Sequence, residues 1–483
     1  MSYLGIDLGT SGLRALLVDG AGEPVQAVER HYEVQHSHSG WSEQDPQDWI
    51  SALEGAIAEL RDDQPAFADL RGIGVAGHMH GATLLDADDA VIRPCILWND
   101  TRAHAEAAAL DGTRNVRDLS GNIVFPGFTA PKLVWMRTHE PENFARVAKV
   151  LLPAAYLSFY LTGEHVADMS DSAGTSWLDV GAREWSGTLL DAGHMRRDQM
   201  PRLVEGCEVA GRLRPELTRN WGLGEDVTVA GGAGDNAAAA CGIGALNEGE
   251  GFLSLGTSGV LLAARDGYFP APDSALHTFC HAVPDRWYQM GVMLSATDSL
   301  NWLARMVGQA PADLTAPLGD TLRAPGRVRF LPYLSGERTP HNDAVIRGSF
   351  TGLGTDTARD DLTRAVLEGV AFGLRDSYEA LSRSGVRIDR LIAIGGGTRS
   401  PYWLRAIATA LDVVLELPHD GETGAALGAA RLAQIARTGA TPEDVLLPPA
   451  IRERIEPDAR HKDEFAAAYE KFRASYQPIA QIQ

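Results

Sequence analysis

Tyr3-Leu-Gly-Ile-Asp-Leu-Gly-Thr-Ser-Gly-Leu-Arg-Ala-Leu-Leu-Val-Asp19 reads as an apolar strand, a glycine turn and a second apolar strand, closed by the turn sequence Gly20-Ala-Gly22. That is a hairpin rather than a strand entering a helix. A second copy of its turn, Gly256-Thr-Ser-Gly259, follows the apolar run Phe252-Leu-Ser-Leu255, close to half of the 483-residue chain away from Gly9-Thr-Ser-Gly12. The repeat divides the molecule into two similar halves facing one another. Two such turns can hold one polyphosphate between them, because backbone N–H groups and hydroxyls bind phosphate oxygens and glycine lets the backbone come close. The grip differs from a Walker A loop, whose closing Gly-Lys occurs nowhere in the chain.

Strand-like and helical stretches alternate between and after the two turns, which argues an α/β class, and the length allows two to three domains. Between Asp361 and Leu381, the residues Leu362, Val366, Val370, Leu374, Tyr378 and Leu381 recur three or four apart, and Phe465, Tyr469, Phe472 and Tyr476 repeat the pattern near the C-terminus. Both are expected to be core faces of helices. The second half is expected to begin near Glu248-Gly-Glu-Gly251 after a short ordered hinge. This sets domains at 1–246 and 247–483, with the last helix packing on either one.

A formal charge of −21 disfavours nucleic acid or an anionic membrane as a partner. Four lysines stand against 39 arginines, which reads as a compositional bias rather than a binding device. The cysteines, Cys95, Cys207, Cys241 and Cys280, show no CxxC spacing and no secretory signal precedes them, so a reduced, cytoplasmic protein is expected. The most apolar long stretch, Val229 to Leu246, contains Asp235, Asn236 and five glycines, a poor membrane span. A homodimer is compatible with the sequence.

Asp7 lies between the first strand and its turn. A carboxylate there can hold Mg²⁺ beside phosphates cradled by Thr10, Ser11 and Gly12, or it can cap the hairpin through its own backbone. Gly231-Gly-Ala-Gly-Asp235-Asn236 reads as a glycine loop ending at a helix N-terminus. Asp235 there either satisfies first-turn N–H groups or, with the glycines leaving room, meets a substrate hydroxyl as a general base. The helix dipole is expected to keep it ionised. Leu391-Ile-Ala-Ile-Gly-Gly-Gly-Thr-Arg-Ser-Pro401 runs from strand through a glycine turn to a helix starting near Pro401, and such a turn offers either a flat face for adenine or a tight connection. Gly72-Ile-Gly-Val-Ala-Gly77 satisfies GxGxxG, but the strand-like Ala82-Thr-Leu-Leu-Asp86 follows instead of a helix, which argues against a dinucleotide site. The pairs His36/His38 and His78/His80 lack a third ligand at zinc spacing. His80, in a glycine-flanked loop, can donate and accept hydrogen bonds to a sugar.

Taken together these residues resemble the FGGY carbohydrate kinases, and within them the members that phosphorylate xylulose. The resemblance runs through nearly the whole chain. It is carried by Ile6 to Gly12, Trp41-Ser-Glu-Gln-Asp-Pro46, Met79-His-Gly-Ala-Thr83, Ile96-Leu-Trp-Asn-Asp100, Pro126 to Leu133, Asp168-Met-Ser-Asp171, Ala173-Gly-Thr175, Leu255 to Gly259 and Tyr333 to His341, with the two family signatures at Gly127 to His139 and Gly348 to Glu368.

It implies two actin-like (RNase H-like) ATPase domains flanking a deep cleft, sugar mainly on the first and ATP with Mg²⁺ mainly on the second. It further implies Asp235 as catalytic base, Asp7 as the metal-side carboxylate, and Met79 and His80 as sugar contacts with Asn236 beside the base. Gly396 and Gly397, with Ser400, fall to the adenosine, and Gly256 and Thr257 to the second phosphate turn. The implied reaction converts ATP and D-xylulose to ADP and D-xylulose 5-phosphate, with ribulose, gluconate or glycerol as alternative acceptors and an actin-like ATPase as the rival class. One departure stands out: the loop expected is Gly-Gln-Met-His-Gly, and His78 occupies the glutamine position. Imidazole is shorter and titratable, so sugar affinity, pH dependence or the preferred ketose is expected to differ.

Overall fold

The structure is a computed structural model that describes residues 1–224, 226–419 and 424–483. Its first sheet is built from β1 (Ser2–Leu8), β2 (Gly12–Asp19), β3 (Pro24–His31), β4 (Leu70–Gly77), β5 (Val209–Arg212), β6 (Thr228–Ala230) and the short β7 (Ala233–Gly234). Their order is β5-β6-β4-β1-β2-β3, with β7 also pairing to β4. The second sheet contains β8 (Gly251–Leu255), β9 (Gly259–Arg265), β10 (His277–Cys280), β11 (Trp287–Met293), β12 (Arg390–Ile394), β13 (Val414–Pro418) and β14 (Ile451–Ile455), in the order β10-β11-β9-β8-β12-β13-β14.

The two sheets repeat one plan. In each, the central strand runs into the Gly-Thr-Ser-Gly turn and returns antiparallel (β1 to β2, β8 to β9), while its other neighbour is parallel (β4 beside β1, β12 beside β8). The repeat read from the sequence is therefore a repeat of topology. The GxGxxG stretch is the body of β4 and no helix follows it directly. Thr83–Leu85 is a strand, as its composition suggests.

Apart from Ser2 and Asp7, β1 is apolar because it is covered on both faces. Leu4, Ile6 and Leu8 lie in a core that includes Trp49, Leu53 and Leu60 of α1 (Pro46–Asp63). Tyr3, on the opposite face, packs with Ala426, Leu427 and Ala430. Further along, the helices that matter to function are α2 (Thr129–His139), α3 (Asp235–Gly242), α4 (Arg359–Arg383), α5 (Pro401–Leu411), α6 (Ala425–Thr438) and α7 (Lys462–Ala480). Val366, Val370, Leu374 and Leu381 of α4 and Phe465, Tyr469 and Phe472 of α7 are buried in the core of the second half, with Leu362, Tyr378 and Tyr476 partly buried against it, so the last helix packs there.

α6 does not stay with its own half. It lies across β1 and β4 so closely that a Cβ on Gly5 would sit 1.8 Å from the Ala426 carbonyl oxygen, and one on Gly74 would sit 2.0 Å from that of Ala429. Only glycine permits that approach. α6 also presses on α3, where a Cβ on Gly428 would fall 1.8 Å from the Ala238 oxygen. A helix from the second half thus closes one face of the first sheet. Met79, Phe125 and Phe128 share a core with Phe279, Tyr288 and Val292, and that core also takes in Ala425 and Ala429 of α6. Among the described residues no helix is long and apolar enough to cross a membrane.

Candidate active site

The carboxyl ends of parallel strands are where α/β sheets bind ligands, and four of the sequence-predicted residues gather there. Asp7 of β1 is paired with Ala76 of β4, and Leu8 with Gly77. On the other side of β4, Ala233 pairs with Ala76 and Gly234 with Gly77, so Asp235 begins α3 just beyond. Met79 and His80 follow the end of β4 itself. Alternation along β1 puts Asp7 on the face of Tyr3 and Gly5, the face that meets α6.

Asp235 is the first residue of α3, with Gly234 at the cap. Its Oδ1 accepts from the backbone N of Asn236 at 2.7 Å and from Asn236 Nδ2 at 2.8 Å, and its Oδ2 has no hydrogen-bond partner among the described residues. Burial pushes its carboxyl up to about 6 despite those two bonds. Desolvation outweighs the favourable end of a two-turn helix, so the group is ionised near neutral pH by a narrower margin than the dipole alone would give. Asp7 is pushed up to about 7, first by burial and then by the charge of Asp235, with Arg14 opposing. Both side chains remain partly exposed.

His80 adopts φ 72°, the left-handed region that residues with a side chain rarely occupy. Its Nδ1 lies 2.7 Å from the Gly174 carbonyl oxygen. A carbonyl only accepts, so Nδ1 carries the proton and Nε2 is an acceptor. Burial pushes this imidazole down to about 3, which keeps it neutral. Met79 is buried against the base strand: a Cβ on Gly234 would stand 2.8 Å from Met79 Cγ. His78 is also buried, within 5.8 Å of the Trp49 ring, and neither ring nitrogen has a partner among the described residues. Burial and the nearby Lys132 charge push it down to about 3. A titratable His78 is therefore not what the fold makes of that substitution.

In the first turn, Trp98 Nε1 donates to Thr10 Oγ1 at 2.9 Å and Gln44 Nε2 donates to the Thr10 carbonyl at 2.6 Å. The Thr10 hydroxyl proton is left to donate elsewhere. Ser11 is exposed, and Gly12 lies where a Cβ would come 2.8 Å from the Arg30 oxygen of β3. In the second turn, Thr257 is exposed and the Gly256 carbonyl accepts from Thr297 N at 2.9 Å and Thr297 Oγ1 at 2.8 Å. Register pairs Ser254 with Ile394, which brings the glycine loop after β12 beside this turn. Gly395 has φ 93° and rests on Leu255; Gly396 faces open space and Gly397 is pressed against Leu255. The Ser400 hydroxyl is engaged in capping α5, accepting from Trp403 N at 3.4 Å. The two HxH pairs do not converge: His36 Nδ1 bonds the Trp41 carbonyl at 2.8 Å, while His78 and His80 have the separate surroundings just described.

The model of the FGGY family of carbohydrate kinases, N-terminal domain, matches residues 2–242, and that of its C-terminal domain matches residues 251–437. The chain belongs to the FGGY family of carbohydrate kinases. A xylulose kinase from Escherichia coli (strain K12) is 46% identical over 481 residues, 99% of each chain, and one from Klebsiella pneumoniae is 44% identical over 473 residues, 97% of each. The solved structure of a xyloylose kinase from Brucella ovis is 56% identical with a TM-score of 0.99, covering 100% of both chains.

The FGGY N-terminal match ends at Gly242, the last residue of α3, and the C-terminal match begins at Gly251, the first of β8. Several site residues of this FGGY chain carry no signal in sequence order. Tyr288, from the second half, is fully buried and its hydroxyl donates to Met79 Sδ at 3.8 Å. Ser170 Oγ accepts from Gly234 N at 3.1 Å and donates to Asp168, which props the strand before Asp235. Asp171 is 1% exposed and neither carboxylate oxygen has a partner among the described residues. Burial, then the charges of Asp168 and Asp235, raise it well above the usual carboxylate range. The stretch Asp168 to Asp171 carries part of the family resemblance, but no spacing rule points it at Asp235.

Proposed function

We propose that this FGGY kinase transfers the γ-phosphoryl group of ATP to the C5 hydroxyl of D-xylulose, giving ADP and D-xylulose 5-phosphate. The observation that carries the reading is the placement of Asp235, partly exposed and with Oδ2 unpartnered among the described residues, beside the Met79-His80 loop at the end of β4. The xylulose kinase relatives, alike over nearly their whole length, support the choice of sugar.

Asp235 Oδ2 takes the proton of the C5 hydroxyl as the phosphoryl group arrives, while Asn236 fixes Oδ1. Near neutral pH a carboxyl titrating at about 6 is ionised and ready to accept. His80 Nε2 accepts from another sugar hydroxyl, and Met79 with Tyr288 forms the apolar wall behind it. Thr10, Ser11 and Gly12 on one side, and Gly256 and Thr257 on the other, bind phosphate oxygens. Gly396 offers its open backbone to the adenine, and Gly397 and Ser400 shape that loop. Positioning contributes about 7–11 kcal/mol to a bimolecular step, against roughly 10²- to 10⁴-fold for proton transfer, so orientation contributes more to the rate than the base does.

The donor set at Asp7 fits Mg²⁺: a hard carboxylate, partly exposed, with no hydrogen bond to its oxygens from any described residue. Bound there, Mg²⁺ would offset charge on the transferring phosphates. Cytoplasmic residence is supported by four cysteines that are all unpaired.

A coupled ADP-release assay with D-xylulose, ribulose, gluconate and glycerol tests the reading, with Asp235→Ala as control. D-xylulose should give the highest kcat/KM, and Asp235→Ala should abolish phosphorylation while ATP still binds. A better acceptor among the other three would reassign the substrate, and ATP turnover indifferent to every sugar would sink the kinase reading.

A further inference from the structure

One short segment, Phe128 to Lys132, holds His80 in three ways. The Phe128 ring stacks on the imidazole, with centroids 4.4 Å apart and planes 19° apart. Thr129 Oγ1 donates to the His80 carbonyl oxygen at 3.1 Å, and Lys132 Nζ donates to the same oxygen at 2.7 Å. Thr129 opens α2 and Lys132 stands three residues on, so both side chains leave the same face of the helix.

Two features make this more than ordinary packing. His80 sits at φ 72°, a conformation that costs free energy for a residue with a Cβ and persists only where its surroundings impose it. Lys132 is 0% exposed, and an ammonium so placed carries a desolvation penalty that one carbonyl does not offset. Burial does push it down to about 7. The chain thus sets a buried amine that is costly to charge against a strained backbone directly behind the imidazole.

We infer that Thr129 and Lys132 are positioning residues for the sugar site: by gripping the His80 carbonyl they fix the left-handed backbone and aim Nε2 at the substrate. The inference rests on the proposal that His80 binds sugar. With the grip released, the His80–Gly81 peptide rotates toward common backbone angles, the Gly174 hydrogen bond and the Phe128 stack are lost together, and the acceptor nitrogen no longer points where the hydroxyl arrives. ATP, held by other loops, is unaffected.

The test uses the full-length enzyme with whichever sugar the wild type phosphorylates best, and reads KM for sugar and for ATP separately. Thr129→Val keeps the shape and removes one donor, and sugar KM should rise about threefold or more; Lys132→Met removes the charged donor, and the rise should be about tenfold or more. ATP KM should stay within about twofold in both, since neither residue touches the phosphate or adenine loops. Thr129→Ser, which restores the hydroxyl, should return sugar KM to the wild-type value. Should Lys132→Met fail to fold by circular dichroism, the Thr129 pair carries the test alone. Sugar KM unchanged in a folded Thr129→Val, or sugar and ATP KM rising together, overturns the inference. Inactivity of the wild type toward every sugar would instead count against the proposed function.

Discussion

Asp7 and Asp235 stand on opposite sides of a single strand: Asp7 is paired with Ala76 of β4, and Gly234, the residue before Asp235, with Gly77. Two carboxylates at neighbouring strand ends repel, and the charge of Asp235 is one cause of the raised Asp7. The pair therefore loses its protons in two steps near neutrality rather than near pH 4. One of the two groups is suited to take a proton and the other to meet a cation.

The acid limb of the pH profile follows from this. A base must be ionised to work, and Asp235 titrates at about 6. The kcat/KM for sugar should fall as pH drops through about 6, and a slope of one proton is expected if Asp235 alone controls it. Measured from about pH 5 to 8 at saturating ATP and Mg²⁺, a rate still flat at the acid end would remove Asp235 from the base role or place its carboxyl in a wetter setting.

The same shift predicts that the active site costs stability. The folded carboxyl of Asp235 is raised from 3.8 to about 6. Below about pH 4 it is protonated both folded and unfolded, and no penalty arises; above about 6 it is ionised in both, and the folded state carries the full cost of burying the charge. Asp235→Asn should be inactive yet more stable, by an amount that grows between about pH 4 and pH 6 and then levels off, on the order of 2–3 kcal/mol at the plateau. Thermal melts of the two proteins across that range check the sign; a Tm difference that shrinks as pH rises contradicts it.

Much of this is legible in one dimension. The Gly-Thr-Ser-Gly duplication points to the two-sheet plan because each turn must follow a buried central strand, and both turns do. The helix through Leu362 and Leu381 is readable because a 3.6-residue period survives in sequence order. What escapes is what depends on meeting across the chain: Tyr288 against Met79, Lys132 on the His80 carbonyl, and α6 crossing to the first sheet. Electrostatics escapes for a similar reason, since the dipole at Asp235 is visible in sequence but the burial that outweighs it is not.

His78 is the residue whose consequence changes most between sequence and fold. In sequence it looks like a titratable intruder in a sugar loop, but burial pushes it down to about 3 and so holds it neutral through the working range of pH. His78→Gln should leave the shape of the pH profile unchanged while altering sugar KM, because a longer amide in that space finds other partners than two ring nitrogens with none among the described residues. A pH limb near about 6.5 that disappears in His78→Gln would show that water reaches this ring.

The approach of α6 to the first sheet is the feature on which the geometry of the base depends most, and Gly74 tests it. A Cβ there would stand 2.0 Å from the Ala429 oxygen and 2.7 Å from its carbonyl carbon. Both are backbone atoms of a helix, so no side chain can swing aside and α6 must lift from β4. Overpacking of this kind costs about 1–3 kcal/mol. The displacement also has a direction, because α6 is locked to α3 at Gly428 and Ala238, and α3 begins at Asp235. Gly74→Ala should therefore lower Tm and reduce kcat together, whereas a substitution that merely loosened the core would lower Tm alone. If Gly74→Ala melts with the wild type and turns over at the wild-type rate, α6 does not lie against β4 as closely as these distances require.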